Sequence, residues 1–169
     1  MFKYCPKCQS SDISFEGQRY WDCGNCDFVY FHNTAAGVAG LIKYRNQLLF
    51  TVRAKNPEQG KLDLPGGFVD YHETLEQGLS RELTEELSLT IAPQKWQYFC
   101  SFPNQYLYKN INYHTIDSVF ACELDQKPEV QLEKAEIQEA RWIALDEIDV
   151  SKIAFPSLAN AVTQFIEME

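Results

Sequence analysis

The chain has 169 residues, 45% hydrophobic and 23% charged, which suits one ordinary domain with a small appendage and leaves no room for two large domains. No apolar run approaches bilayer-spanning length and the start M-F-K-Y-C-P-K-C lacks an apolar signal region, so the expected location is cytoplasmic. A net charge of -9 argues against broad binding to nucleic-acid backbones, which rests on Lys and Arg, and means that an anionic substrate would need a metal to mediate.

Taken in chain order, the first feature is a pair of C-x-x-C turns, Cys5 with Cys8 and Cys23 with Cys26. Each turn aims two thiolates at one point. Two such turns on facing hairpins close a tetrahedral sulfur site suited to structural Zn²⁺, with no open position for chemistry. A redox dithiol would need one pair beside a strand-helix unit, which is missing. The segments I-S-F and R-Y-W-D are the expected hairpin strands. His32 follows, but four cysteines already fill the site. Cys100 and Cys122, in apolar surroundings, read as buried small hydrophobes. The expected division is a zinc ribbon over 1–32 and a second domain over 33–169.

Thr74 to Leu87 reads as a helix, because Leu75, Leu79, Leu83 and Leu87 form one apolar stripe and Thr74 with Gln77 forms a capping box. In that phase Glu82, Glu85 and Glu86 stand at i, i+3 and i+4 on one face, where like charges repel. Glutamates on a helix are usually a solvated stripe. Here L-P-G-G lies just upstream and Gly78 sits inside the helix, at a cost of about 1 kcal/mol relative to alanine. Paired glycines let a backbone carbonyl approach a ligand, and hard oxygen donors of this kind suit Mg²⁺ or Mn²⁺.

Gly67, Glu73 and the run Arg81-Glu82-Leu83-Thr84-Glu85-Glu86-Leu87-Ser88-Leu89 resemble the signature box of the Nudix hydrolases, enzymes that cut nucleoside diphosphates linked to another group. One position departs from the pattern: Ser88 stands where the family has glycine, which puts the turn after the helix in question and leaves the carboxylates intact. The resemblance implies an α/β fold, an α/β/α sandwich following the small ribbon. Its strands are A-A-G-V-A-G-L-I-K-Y and Q-L-L-F-T-V-R-A as a hairpin around R-N, then H-T-I-D-S-V-F-A-C-E-L and E-A-R-W-I-A-L, before a C-terminal helix near Ser157.

The implied reaction is attack of water on a pyrophosphate phosphorus. The implied metal set is Glu82, Glu85, Glu86 and the Gly66 carbonyl, with one glutamate as general base, Arg81 orienting the carboxylates and Glu73 as its partner. For the substrate, Pro103 is similar to the downstream proline of ADP-ribose pyrophosphatases and Tyr106 to the tyrosine of diadenosine-polyphosphate hydrolases. The ribbon resembles that of NADH pyrophosphatases, yet their S-Q-P-W-P-F-P motif is absent. Phe102, Tyr106, Tyr108 and Tyr113 are candidates to stack an adenine, or are ordinary strand and core aromatics. The favoured substrate is ADP-ribose-like, with NADH and diadenosine polyphosphates as alternatives. A non-catalytic nucleotide sensor with the ribbon as an interaction surface is the rival of another class, and a homodimer is left open. His72 and His114 receive no role.

Overall fold

The computed structural model describes residues 2–169, and the chain divides between Thr34 and Ala35. The sequence reading set that boundary after residue 32. The first unit is a three-stranded antiparallel sheet, β1 (Ile13–Glu16), β2 (Tyr20–Cys23) and β3 (Val29–Phe31), in that order. Its interior is small, with Phe15 stacked on Trp21 and, among the described residues, only Cys5 and Cys23 buried.

The second unit is built on a seven-stranded sheet. Its main path runs β10-β5-β4-β9-β8, with the short β6 on β5 and β7 on β4. The strands are β4 (Ala35–Tyr44), β5 (Gln47–Arg53), β6 (Leu62–Asp63), β7 (Gly66–Phe68), β8 (Gln97–Tyr108), β9 (Ile111–Glu123) and β10 (Ile137–Ala144). The expected β4–β5 hairpin turns at Arg45-Asn46, and β4 with β9 is a parallel pair in an otherwise antiparallel ladder. Parallel pairing demands a long crossover, and that crossover carries the acidic helix.

Side chains alternate across a strand, and here each face receives one helix. Ala39, Leu41, Leu48, Phe50, Val52 and Val119 pack with Leu158, Ala161, Val162 and Phe165 of α2 (Pro156–Met168). Val38, Ile42, Leu49, Phe120 and Cys122 pack on the other face with Leu79, Leu83 and Leu87 of α1 (Leu75–Leu87). The result is the expected α/β/α sandwich. No helix among the described residues is long and apolar enough to cross a membrane.

The cap residues of α1 match the sequence reading. Thr74 Oγ1 accepts from the Gln77 N–H at 3.3 Å, and Gln77 Oε1 accepts from the Thr74 N–H at 2.8 Å. At the other end Ser88 takes φ 51° and ψ 30°, with its N–H bonded to the Leu83 and Thr84 carbonyls. Serine therefore adopts the left-handed conformation that glycine adopts freely. That conformation costs a non-glycine residue roughly 1–2 kcal/mol, against the extra entropy glycine loses on folding. Ser88→Gly should therefore stabilise the protein by roughly 0.5–1 kcal/mol in urea unfolding. A lower midpoint would show that the exposed Ser88 side chain does more than close the turn.

Candidate active site

The leucine stripe of α1 fixes the rotation of the helix, and that rotation turns Glu82 and Glu86 toward the β6–β7 segment. Both line a cavity of about 290 Å³ together with Gly66, Gly67 and Asp63. Gly67 is required by this approach: a Cβ there would stand 2.5 Å from Glu82 Cδ. Glu86 is 9% exposed, and its Oε2 accepts the Gly66 N–H at 3.2 Å. Burial, reinforced by the charges of Glu82, Asp63 and Glu136, pushes Glu86 up to about 8. Burial also raises Glu82, against the pull of Arg81.

Arg81 is the hub of the remaining carboxylates. Its Nε and Nη2 grip Glu73 at 3.2 and 2.8 Å, Nη1 reaches Glu82 at 2.9 Å and Glu85 at 3.0 Å, and Nη2 also reaches the Phe68 carbonyl at 2.9 Å. Those five contacts account for the five N–H groups of a guanidinium, so Arg81 positions carboxylates and keeps no donor for a substrate. Glu73 is held below its ordinary value, first by Arg81. A Cβ at Gly78 would lie 2.9 Å from Glu73 Oε1, which explains a glycine inside the helix.

The structure separates residues that the sequence reading grouped. Glu85 is exposed, is turned to Arg81 and does not line the cavity, because i+3 lies farther round the helix from the core than i+4. Tyr106, Tyr108 and Tyr113 come together with Phe68, Ala35, Lys55 and Asn56 around an adjoining aromatic slot of about 520 Å³. Phe102 instead packs against the α2-side core, and lines neither space. Pro103 falls on the outer face of β8, exposed, because alternation gives the inner face to Phe102, Asn104 and Tyr106. His72 and His114 are exposed and line neither space.

Several cavity residues were missed. Arg53 pairs with Asp63 at 2.5 Å and lies 5.0 Å over the Phe155 ring; burial still pushes Asp63 up to about 6. Glu136 lines the cavity and pairs with Lys55 at 2.5 Å. Asn104, Thr115 and Asp117 form a further polar wall. The alternation of Phe102, Asn104 and Tyr106 was the available signal for Asn104. Nothing local marked Asp63, Asp117 or Glu136.

In the first unit the four sulfurs of Cys5, Cys8, Cys23 and Cys26 lie within 4.8 Å of one another. The Cys5–Cys26 and Cys8–Cys23 Sγ separations are both 3.7 Å. A tetrahedron with metal–sulfur bonds of about 2.3 Å has edges of about 3.8 Å, so the four fit one zinc ion. The Asn25 amide donates to Cys8 Sγ at 3.6 Å and leads in pulling that thiol down to about 6.

The NUDIX domain model matches residues 31–165, most of the chain. The chain belongs to the NUDIX family. It is 43% identical over 61 residues, 36% of each chain, to an ADP-ribose pyrophosphatase of Methanocaldococcus jannaschii. Over 170 residues, 98% of this chain and 55% of the relative, it is 25% identical to the NAD-capped RNA hydrolase NudC of Stutzerimonas stutzeri. The chain thus spans about half the length of that relative, and 36% of the archaeal one. A NUDIX hydrolase from Nitrosomonas europaea shares the fold, with TM-score 0.65 and 24% identity over 99% of this chain and 92% of that one.

The raised Glu86 makes a prediction for the protein without divalent cation. A carboxyl whose folded value lies above its ordinary 4.5 contributes stability that is present at low pH and lost as pH rises through about 8. The thermal midpoint in Mg²⁺-free buffer should fall by several degrees between about pH 6.5 and about pH 9, and Glu86→Gln should reduce that fall. An equal fall in both proteins would show that Glu86 ionises without cost.

Proposed function

We propose that the chain is a Mg²⁺- or Mn²⁺-dependent hydrolase that cleaves the pyrophosphate linkage of a nucleoside diphosphate derivative. The observation that carries this reading is the pair Glu82, half-buried, and Glu86, buried, beside Gly66 and Gly67 in a cavity whose wall carboxylates outnumber its cations. Hard oxygen donors with unrelieved negative charge suit a small divalent ion. The residues to hold it are Glu82, Glu86 and the Gly66 carbonyl, with Glu85 joining by leaving Arg81. Such an ion, when bound, neutralises the diphosphate and lowers the pKa of bound water.

The chain's own residues supply the rest. Arg81 and Glu73 fix the carboxylates, and Glu86, with Glu136 nearby, is placed to accept a proton from attacking water. Lys55 and Arg53 offer positive charge at the same cavity for phosphate oxygens. Tyr106, Tyr108, Tyr113 and Phe68 offer aromatic faces for the adenine. An ADP-ribose-like substrate is favoured. The name of the archaeal relative supports this, whereas the argument from Pro103 falls with that residue's position on the outer face. In the first unit, the cysteines hold structural Zn²⁺.

Glu82→Gln and Glu86→Gln should each lower Mg²⁺-dependent kcat/KM for ADP-ribose by on the order of a hundredfold or more, since each removes charge from the ion's ligand set. Unchanged turnover in both would sink the assignment; nucleotide binding with no turnover in the parent protein would favour the sensor reading. For the ribbon, elemental analysis should find about one zinc per chain, and Cys23→Ser should lose it and unfold the first unit, because metal binding supplies most of such a module's folding energy. An ordered, zinc-free first unit would contradict this.

A further inference from the structure

The cavity that holds the box glutamates also carries a carboxylate that the proposed chemistry does not use. Asp117 lies on β9 at the position paired with Gly37, where a Cβ would stand 2.9 Å from Asp117 Oδ1. Its Oδ2 accepts from Asn104 Nδ2 at 2.9 Å and from Ser157 Oγ at 2.5 Å, and its Oδ1 accepts from Thr115 Oγ1 at 2.9 Å. Ser157 and Thr115 are 2% and 3% exposed, so two buried hydroxyls are spent on holding this group. Among the described residues no cation pairs with it.

A carboxylate has about four acceptor positions, and three are taken. Asn104 directs its NH₂ at Asp117, and its carbonyl oxygen and second N–H have no other partner among the described residues. Both residues line the cavity. The open functions are thus one carboxylate acceptor, one amide acceptor and one amide donor, side by side. A phosphate would be repelled by Asp117. Adjacent hydroxyls, each able to donate and accept, match the set.

Size and polarity divide the two spaces in the same way. The aromatic slot of about 520 Å³ shares Lys55, Phe68 and Tyr106 with the cavity and suits a planar base. The cavity of about 290 Å³ is the more polar of the two and lies at the small end of ligand sites, which begin near 300 Å³. It has room for phosphates and one small hydroxylated group.

We infer that Asp117 and Asn104 are specificity-determining residues that bind vicinal hydroxyls of a sugar on the far side of the diphosphate from the base. This rests on the proposed reading of the substrate as a nucleoside diphosphate derivative. It goes beyond that reading by naming the two residues that hold the sugar and set the preference over simple esters.

The test compares dissociation constants of ADP-ribose and of ADP methyl ester, which keeps the adenosine diphosphate and lacks the sugar. Calorimetry with Ca²⁺ in place of Mg²⁺ gives an answer whether or not the compounds are hydrolysed. The parent protein should bind ADP-ribose roughly tenfold more tightly, the worth of a hydrogen bond to a charged group. Asn104→Ala and, separately, Asp117→Asn should bring that ratio to about one; Asn104→Ala leaves the Ser157 contact in place should the other variant disturb α2. A ratio near one in the parent protein, or equal weakening of both ligands in the variants, would overturn the inference. A tenfold ratio in the parent protein that both variants lose, with no Mg²⁺-dependent turnover, would support the inference and remove the hydrolase proposal alone, and failure of both ligands to bind would overturn both.

Discussion

A carboxylate withdrawn from water without a cation of its own sets the terms for the whole site. Glu86 is buried, receives one backbone N–H, and shares its cavity with Glu82, Asp63 and Glu136. Arg81 spends its donors on Glu73, Glu82, Glu85 and a carbonyl, Arg53 pairs with Asp63, and Lys55 pairs with Glu136. Glu86 has no such partner among the described residues. An uncompensated buried charge is expensive, so the group either keeps its proton or acquires a cation from solution. The fold holds it in that position through packing that is itself apolar and strong.

That packing explains why the site can tolerate its own repulsion. Leu79, Leu83 and Leu87 are fully enclosed against the sheet, and deleting one such side chain typically costs 2–5 kcal/mol. Like-charge pairs on a helix cost only a few tenths each. The leucines therefore decide the rotation of α1, and the glutamates go where that rotation takes them. The β4–β7 pairing brings Gly66 and Gly67 to the same place, where Gly67 leaves room for Glu82 to close in and Gly66 lies tight against the β4 backbone.

What was legible in the sequence follows the same division. The helix, its capping box and the left-handed demand at Ser88 depend on neighbours within a few residues, and each stands in the structure as read. The cysteine cluster was legible because its spacing carries its geometry. The rest of the cavity was not, because Asp63, Asp117 and Glu136 meet the box only through the β5–β6, β4–β9 and β5–β10 pairings. Pro103 shows the cost of reading an aromatic-rich segment without its alternation. On β8 a one-residue shift exchanges the inner face for the outer, and the inner residue there is Asn104.

Proton release on metal binding reports whether Glu86 keeps its proton until a cation arrives. If burial holds Glu86 mostly protonated at neutral pH, an ion that takes it as a ligand must displace that proton. Titrating Mn²⁺ into the zinc-loaded protein at about pH 7, in two buffers of different ionisation enthalpy, should show about one proton released per chain, and Glu86→Gln should abolish most of it. Mn²⁺ binding with no proton release in the parent protein would contradict the account, because the carboxylate would then already stand ionised in its buried place.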